Sequence, residues 1–212
     1  MTKLTTEYLY ADFKSAEEYT PEYASAFFEK YANYFKTVNS LKDNTELNLY
    51  IELTWQHLHM LYVKNMYAET FAKSTTYLKI IDNEIHRLNC GSVKNDWYYA
   101  ILFIEGMSSY RLGKFKMSTA IFERLTQYDG KNENFKIWYR YSIYQQNRRI
   151  SKTITIVCVI LFLPEIVFEK QITSYLLKMT MLGFALAGSI ATLCFDLYIK
   201  RAFKKPPLEK VS

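Results

Sequence analysis

The side chains that could do chemistry in this sequence are few and scattered. His57 and His59 lie two apart, which sends their rings to different sides of a helix, and His86 is distant from both. No Cys, His and carboxylate residues fall at zinc-ligand spacing, and there is no P-loop, no G-x-G-x-x-G and no G-x-S-x-G. The expectation is no catalytic residue, no metal, no cofactor and no enzyme, with the histidines at surface or half-buried positions. Three groups remain as candidates. Glu165 and Asp196 stand at the edges of long apolar runs, where a carboxylate is costly unless it meets water or protein. They read either as solvated or paired residues or as an acidic ring at the mouth of a cation-conducting pore. Gly183, Ala187 and Ala191 repeat every four residues, the small-residue spacing that lets helix backbones approach closely. Arg111, Lys114 and Lys116 form a local basic patch at a turn, able to meet a nucleotide or short oligonucleotide.

The elements that would position these groups follow from composition and charge. The chain has 212 residues, half of them hydrophobic and 17% aromatic, with only 6 Gly and 4 Pro. So few turn formers argue against a disordered, collagen-like or many-stranded β protein. The net charge of +6 is unevenly placed: residues 1–147 hold 17 Lys/Arg against 17 Asp/Glu, and residues 148–212 hold 10 against 4. A neutral first part lacks the electrostatic footprint of a general nucleic-acid binder. The basic residues of the second part bracket two apolar runs, TITIVCVILFLPEIVF from Thr153 to Phe168 and a second over 179–199. The sixteen residues of the first and the seventeen from Met179 to Phe195 in the second each fall slightly short of the ~30 Å hydrocarbon core, and together the runs read as two transmembrane helices joined in a hairpin. Arg148, Arg149 and Lys152 before the first, and Lys200, Arg201, Lys204 and Lys205 after the second, place both flanks in the cytoplasm by the positive-inside rule. The opening residues MTKLTTEYLYADFK have no apolar run of the signal-peptide kind, and Cys90, Cys158 and Cys194 suggest no disulfide framework.

The first 147 residues read as helical. Thr20-Pro21 is a helix start, and the spacing of Tyr23, Phe27, Tyr31, Phe35 and Val38 carries that helix to about Val38. Further helices are expected from about Thr45 to Asn65 and from Tyr67 to Leu88, with Asp96 capping the next. From Glu133 to Leu163 there is no Gly and no Pro, so a single helix can run through Asn147 into the first apolar run. Pro164 is expected to end or kink it.

From Tyr98 to Lys131 the chain resembles one tetratricopeptide repeat, a helix-turn-helix in which small residues sit where paired helices touch. Gly106 takes the small position of the first helix, Leu112-Gly113-Lys114-Phe115 the turn, and Ser118-x-x-x-Phe122 the small-to-aromatic spacing of the second. Leu102 stands where Trp is commonest, Glu105 where Leu is usual, and Gly130 replaces the terminal Pro. A longer, degenerate repeat around Asn65-Met66-Tyr67 is not readable unaided. The resemblance implies a binding surface for a protein or peptide. The fold class is therefore all-α: a tetratricopeptide-like antiparallel helical-repeat domain over 1–147, a two-helix transmembrane hairpin over 148–201 and a basic tail over 202–212.

The whole is similar in architecture to the small two-span effectors of bacterial anti-phage defence. That likeness implies a bacterial inner-membrane protein, both termini cytoplasmic, in which a helical domain senses a partner or a small nucleotide signal. Its hairpins would form homo-oligomers that open a pore or disrupt the lipid bilayer. The alternative is a membrane-anchored adaptor whose repeats recruit a protein, the hairpin being a passive anchor.

Overall fold

The structure is a computed structural model that describes residues 4–15, 20–38, 40–91 and 96–167, with isolated positions between 180 and 198. Side chains at 21, 151, 155, 158–159 and 161–167 fall outside that description. The chain divides into two units, Met1–Phe135 and Lys136–Ser212. The described elements are all helical: α1 (Thr6–Lys14), α2 (Pro21–Lys30), α3 (Ala32–Thr37), α4 (Asn44–Val63), α5 (Tyr67–Arg87), α6 (Asp96–Arg111), α7 (Phe115–Tyr128) and α8 (Glu133–Val167). In the first unit α6 is central, packing on α4, α5 and α7, while α4 also receives α1 and α2.

Caps explain where the helices begin. The Thr5, Thr20 and Asp43 side chains accept from first-turn N–H groups of α1, α2 and α4, which would otherwise lack partners. The α1 helix was not expected from the sequence. Its signal is the pair Leu9 and Phe13, four apart and both buried, with the Phe13 ring 4.9 Å from that of Phe27 in an edge-to-face contact. The helix expected to reach Val38 is instead two, broken at Tyr31 (φ −104°, ψ 14°), whose hydroxyl donates to Asp12 of α1 at 2.6 Å.

Helices α4–α5 and α6–α7 are antiparallel hairpins with the same turn. Asn65 and Gly113 both take the left-handed conformation (φ 60° and 71°), and the next N–H reaches back five residues, Met66 to Leu61 at 3.0 Å and Lys114 to Ser109 at 2.9 Å. The residues that open the second helices, Met66 and Lys114, have nearly the same dihedrals, −82°/53° and −83°/56°. The flanking rings pair alike, Tyr62 with Tyr67 at 5.3 Å and Tyr110 with Phe115 at 5.4 Å. This helix stacking is consistent with a helical-repeat domain. Counting from the two turns, Leu58 corresponds to Gly106 and Ser74 to Phe122, all four positions tightly buried. The large residue thus sits on the first helix of one hairpin and on the second helix of the other. A side chain at Gly106 would put its Cβ 2.9 Å from Phe122 Cζ, which the core cannot accept without shifting.

His57 departs from the half-exposed state expected of it. It is buried, stacked on Phe28 at 4.1 Å and bonded through Nδ1 to the Tyr77 hydroxyl at 2.8 Å. Burial, with Lys73 adding a smaller effect, pushes its pKa down to about 3. His57 is a neutral core residue.

The membrane reading is corrected. Among the described residues, no helix is long and apolar enough to cross a membrane. The first apolar run is the last part of α8, a 35-residue helix whose preceding turns are polar through Gln145, Gln146, Asn147, Arg148 and Arg149. The α8 helix is continuous through Asn147 and also through Pro164, where an end or kink was expected. About half of the second run lies outside the described residues. With no spanning helix shown, the two transmembrane helices, the likeness to two-span effectors, the pore, the lipid-bilayer partner, the membrane anchor of the adaptor alternative and the inner-membrane location all fall.

The exchange of sizes across the two hairpins generates a test. Gly106→Leu should cost several kcal/mol by overpacking and Phe122→Ser a similar amount by leaving a cavity, about 3 kcal/mol each. The double variant should lose clearly less than the sum in urea unfolding; strict additivity would show that the two positions do not share one space.

Candidate ligand pocket

Two buried carboxylates tie α1 and the segment before α4 to the first hairpin, and a pocket opens beside one of them, Glu46. Glu46, in the first turn of α4, is 8% exposed; its Oε1 accepts from Thr6 N at 2.9 Å and its Oε2 from Lys42 N at 2.6 Å. Glu84, near the end of α5, is 3% exposed; it accepts from Leu41 N at 2.8 Å and from Arg87 Nε and Nη2. Arg87 Nη2 also donates to the Leu41 carbonyl. Segment 40–42, which has no regular structure, is thereby held from both sides by side chains.

Burial alone would raise the pKa of Glu84, but the bonds from Arg87 and from the Leu41 N–H outweigh it and hold the carboxyl below its ordinary value. Burial raises that of Tyr34, the Glu46 charge adds to this, and a bond to Thr6 acts the other way; its hydroxyl lies 2.5 Å from Thr6 Oγ1.

The pocket has a volume of about 650 Å³, within the range that holds small ligands or a docked side chain. Thr5 and Glu7 at the start of α1, Tyr34 and Thr37 of α3, Ser40 and Lys42 of the connecting segment, and Glu46 and Arg87 supply its polar groups, with Leu4, Val38 and Leu41 the apolar ones. Arg87 is matched by Glu84 at 2.6 Å. Glu46 has no cation within ion-pair distance among the described residues; its partners are both backbone N–H groups.

The residues singled out from sequence lie elsewhere. Arg111 and Lys114, at the α6–α7 turn, sit over aromatic rings at the start of α5: the Arg111 guanidinium is 5.9 Å from the Tyr67 ring and Lys114 Nζ is 3.8 Å from that of Phe71. They link the two hairpins across their matching turns. Lys116 is exposed on the first turn of α7. Glu165 belongs to α8 but its side chain is outside the described set, and Asp196 lies outside the described residues altogether. Ala187 and Ala191 are exposed, and a Cβ added at Gly183 would meet nothing within 4 Å. Among the described residues no group of His, Cys, Asp and Glu could hold a metal ion.

The pocket was missed because its lining comes from segments more than eighty residues apart. One local signal existed. Asp43-x-x-Glu46 has the form of a capping box, in which the third helical residue reaches back to the N-cap N–H. Glu46 instead reaches one residue further, to Lys42 N, which leaves its other oxygen for Thr6. Comparisons with protein-family models, with curated proteins and with solved structures find no match. The tetratricopeptide family is supported by none of these; what the fold shows is helix stacking consistent with a helical-repeat domain.

The charge on Glu84 should be measurable through pH. Its folded pKa is depressed, so its stabilisation is present above the unfolded carboxylate range, near pH 4, and is lost as pH falls through the folded value. Glu84→Gln should destabilise the domain by about 2 kcal/mol at pH 7, and the gap to the wild type should narrow below about pH 4. A gap unchanged down to pH 3 would show that the carboxylate charge does not hold segment 40–42.

Proposed function

We propose that the helical domain is a binding module, not an enzyme, and that its pocket receives the ammonium or guanidinium group of a polypeptide segment. The observation that carries this reading is Glu46: a buried carboxylate that lines a pocket of about 650 Å³, with backbone N–H groups as its partners and no cation within ion-pair distance among the described residues. A desolvated carboxylate of this kind gains most from a cationic partner brought in from outside. Glu7 at the rim adds a second negative charge, while the hydroxyls of Thr5, Thr37 and Ser40 offer hydrogen bonds to a peptide backbone. The helical-repeat stacking supports a peptide as the carrier, because stacked helix pairs present extended surfaces on which a segment can lie. The lining contains no imidazole or thiol, and what it offers is recognition by charge and hydrogen bonding.

An array of Lys- and Arg-containing peptides, with norleucine and citrulline replacements and free lysine as controls, tests the reading by calorimetry. Replacing the cationic residue of a bound peptide, or making Glu46→Gln in the protein, should weaken binding about 10- to 100-fold, the value of a charge-assisted hydrogen bond. Lys42→Ala should leave affinity unchanged or raise it. Equal affinity for cationic and neutral peptides, with the Glu46→Gln fold intact by thermal unfolding, would overturn the assignment.

A further inference from the structure

One peptide group in the pocket wall is held from both ends by opposite charges. The Leu41 carbonyl and the Lys42 N–H belong to the same peptide bond; the carbonyl accepts from Arg87 Nη2, and the N–H donates to Glu46 Oε2 at 2.6 Å. Across a planar trans peptide that oxygen and nitrogen are fixed about 2.3 Å apart, so Arg87 Nη2 and Glu46 Oε2 stand no more than about 8 Å from each other. They do not pair, because the peptide group lies between them.

Arg87 still has donors to give. Three of its five N–H groups are engaged, Nε on Glu84 and Nη2 on Glu84 and on the Leu41 carbonyl. Among the described residues the two N–H groups of Nη1 have no acceptor, and the side chain, which lines the pocket, is 45% exposed. The guanidinium is planar and already anchored, so little freedom is lost when Nη1 takes a further partner. The charges of the lining are also balanced, Glu7 and Glu46 against Lys42 and Arg87. A cation alone would meet only half of that set, whereas a ligand carrying both signs is complementary to it.

We propose that the segment received by this pocket carries a carboxylate beside its cation, with the cation on Glu46 and the carboxylate on Arg87 Nη1. This rests on the reading of the pocket as a cation site and adds the second half of its ligand. An extended residue spans about 3.3–3.6 Å, so a carboxylate within about two residues of the basic side chain reaches both groups. Two sources supply one: the free C-terminus of a chain that ends in Lys or Arg, and an Asp or Glu next to the basic residue.

Two pairs of acetylated hexapeptides test this by calorimetry on the full-length chain. One pair ends in lysine, as the free acid or as the amide; the other is amidated and holds Lys-Asp or Lys-Asn at its centre. Versions with norleucine in place of lysine report on the cation separately. The carboxylate member of at least one pair should bind about 10-fold more tightly, the value of a hydrogen bond to a charged group, and the pair that shows the preference distinguishes chain end from side chain. Arg87→Gln should abolish the preference by bringing the carboxylate peptide down to its neutral partner. Because Arg87 also holds Leu41, a purely structural loss would weaken both members alike and keep the preference, which would overturn the assignment. The comparison on the wild-type chain does not depend on that variant folding. Equal affinity within both pairs there, with lysine still preferred to norleucine, would overturn this inference and leave the cation site standing. Norleucine peptides that bind as well as their lysine counterparts would overturn both.

Discussion

A buried carboxylate that hydrogen-bonds backbone N–H groups is the interaction on which the first unit turns. Glu46 and Glu84 lie on the two helices of the first hairpin, and their acceptors go to Thr6, Leu41 and Lys42, which belong to no helix of that hairpin or stand at the first residue of α1. An unpaired backbone N–H buried without a partner costs about as much as a lost hydrogen bond, and a buried carboxylate without donors costs more. Each solves the other's problem. The consequence is that α1 and the 40–42 segment are fixed to the hairpin by polar contacts, while Phe28 of α2 and Phe35 of α3 reach it by aromatic packing on His57, Tyr50 and Tyr77.

That arrangement also explains why a pocket exists there. Helices meeting through apolar faces close up, as α6 and α7 do at Gly106, where no room remains even for a Cβ. Where Glu46 reaches from α4 to the backbone of Thr6 and Lys42, a pocket is left beside it. The space is then lined by hydroxyls and charges, which suits recognition of a charged group more than burial of an apolar one.

What the sequence revealed depended on how local the determinants are. The α6–α7 turn was readable because Gly106, Gly113 and Ser118 obey a spacing set within one hairpin, and the matching turn at Asn65 was harder because Asn replaces Gly and Leu58 and Ser74 exchange sizes with Gly106 and Phe122. The break at Tyr31 was hidden, since the ring spacing continues through it and its reason, a hydrogen bond to Asp12, lies 19 residues away. His57 read as a surface or half-buried residue because burial against Phe28 and Tyr77 is a property of three helices together. The apolar runs gave the strongest local signal and the least secure inference, because hydrophobic length alone does not distinguish what an apolar helix face is packed against. The pocket was least visible of all, being assembled from residue 4 to residue 87.

Hydrogen exchange at the backbone amides of Thr6, Leu41 and Lys42 tests the carboxylate clasp most directly. Lys42 is an exposed residue outside any helix, so its amide has no source of protection other than Glu46. The account predicts that all three amides exchange at least roughly 100-fold more slowly than in an unstructured chain. Exchange of Thr6 and Lys42 at the unstructured rate would contradict it.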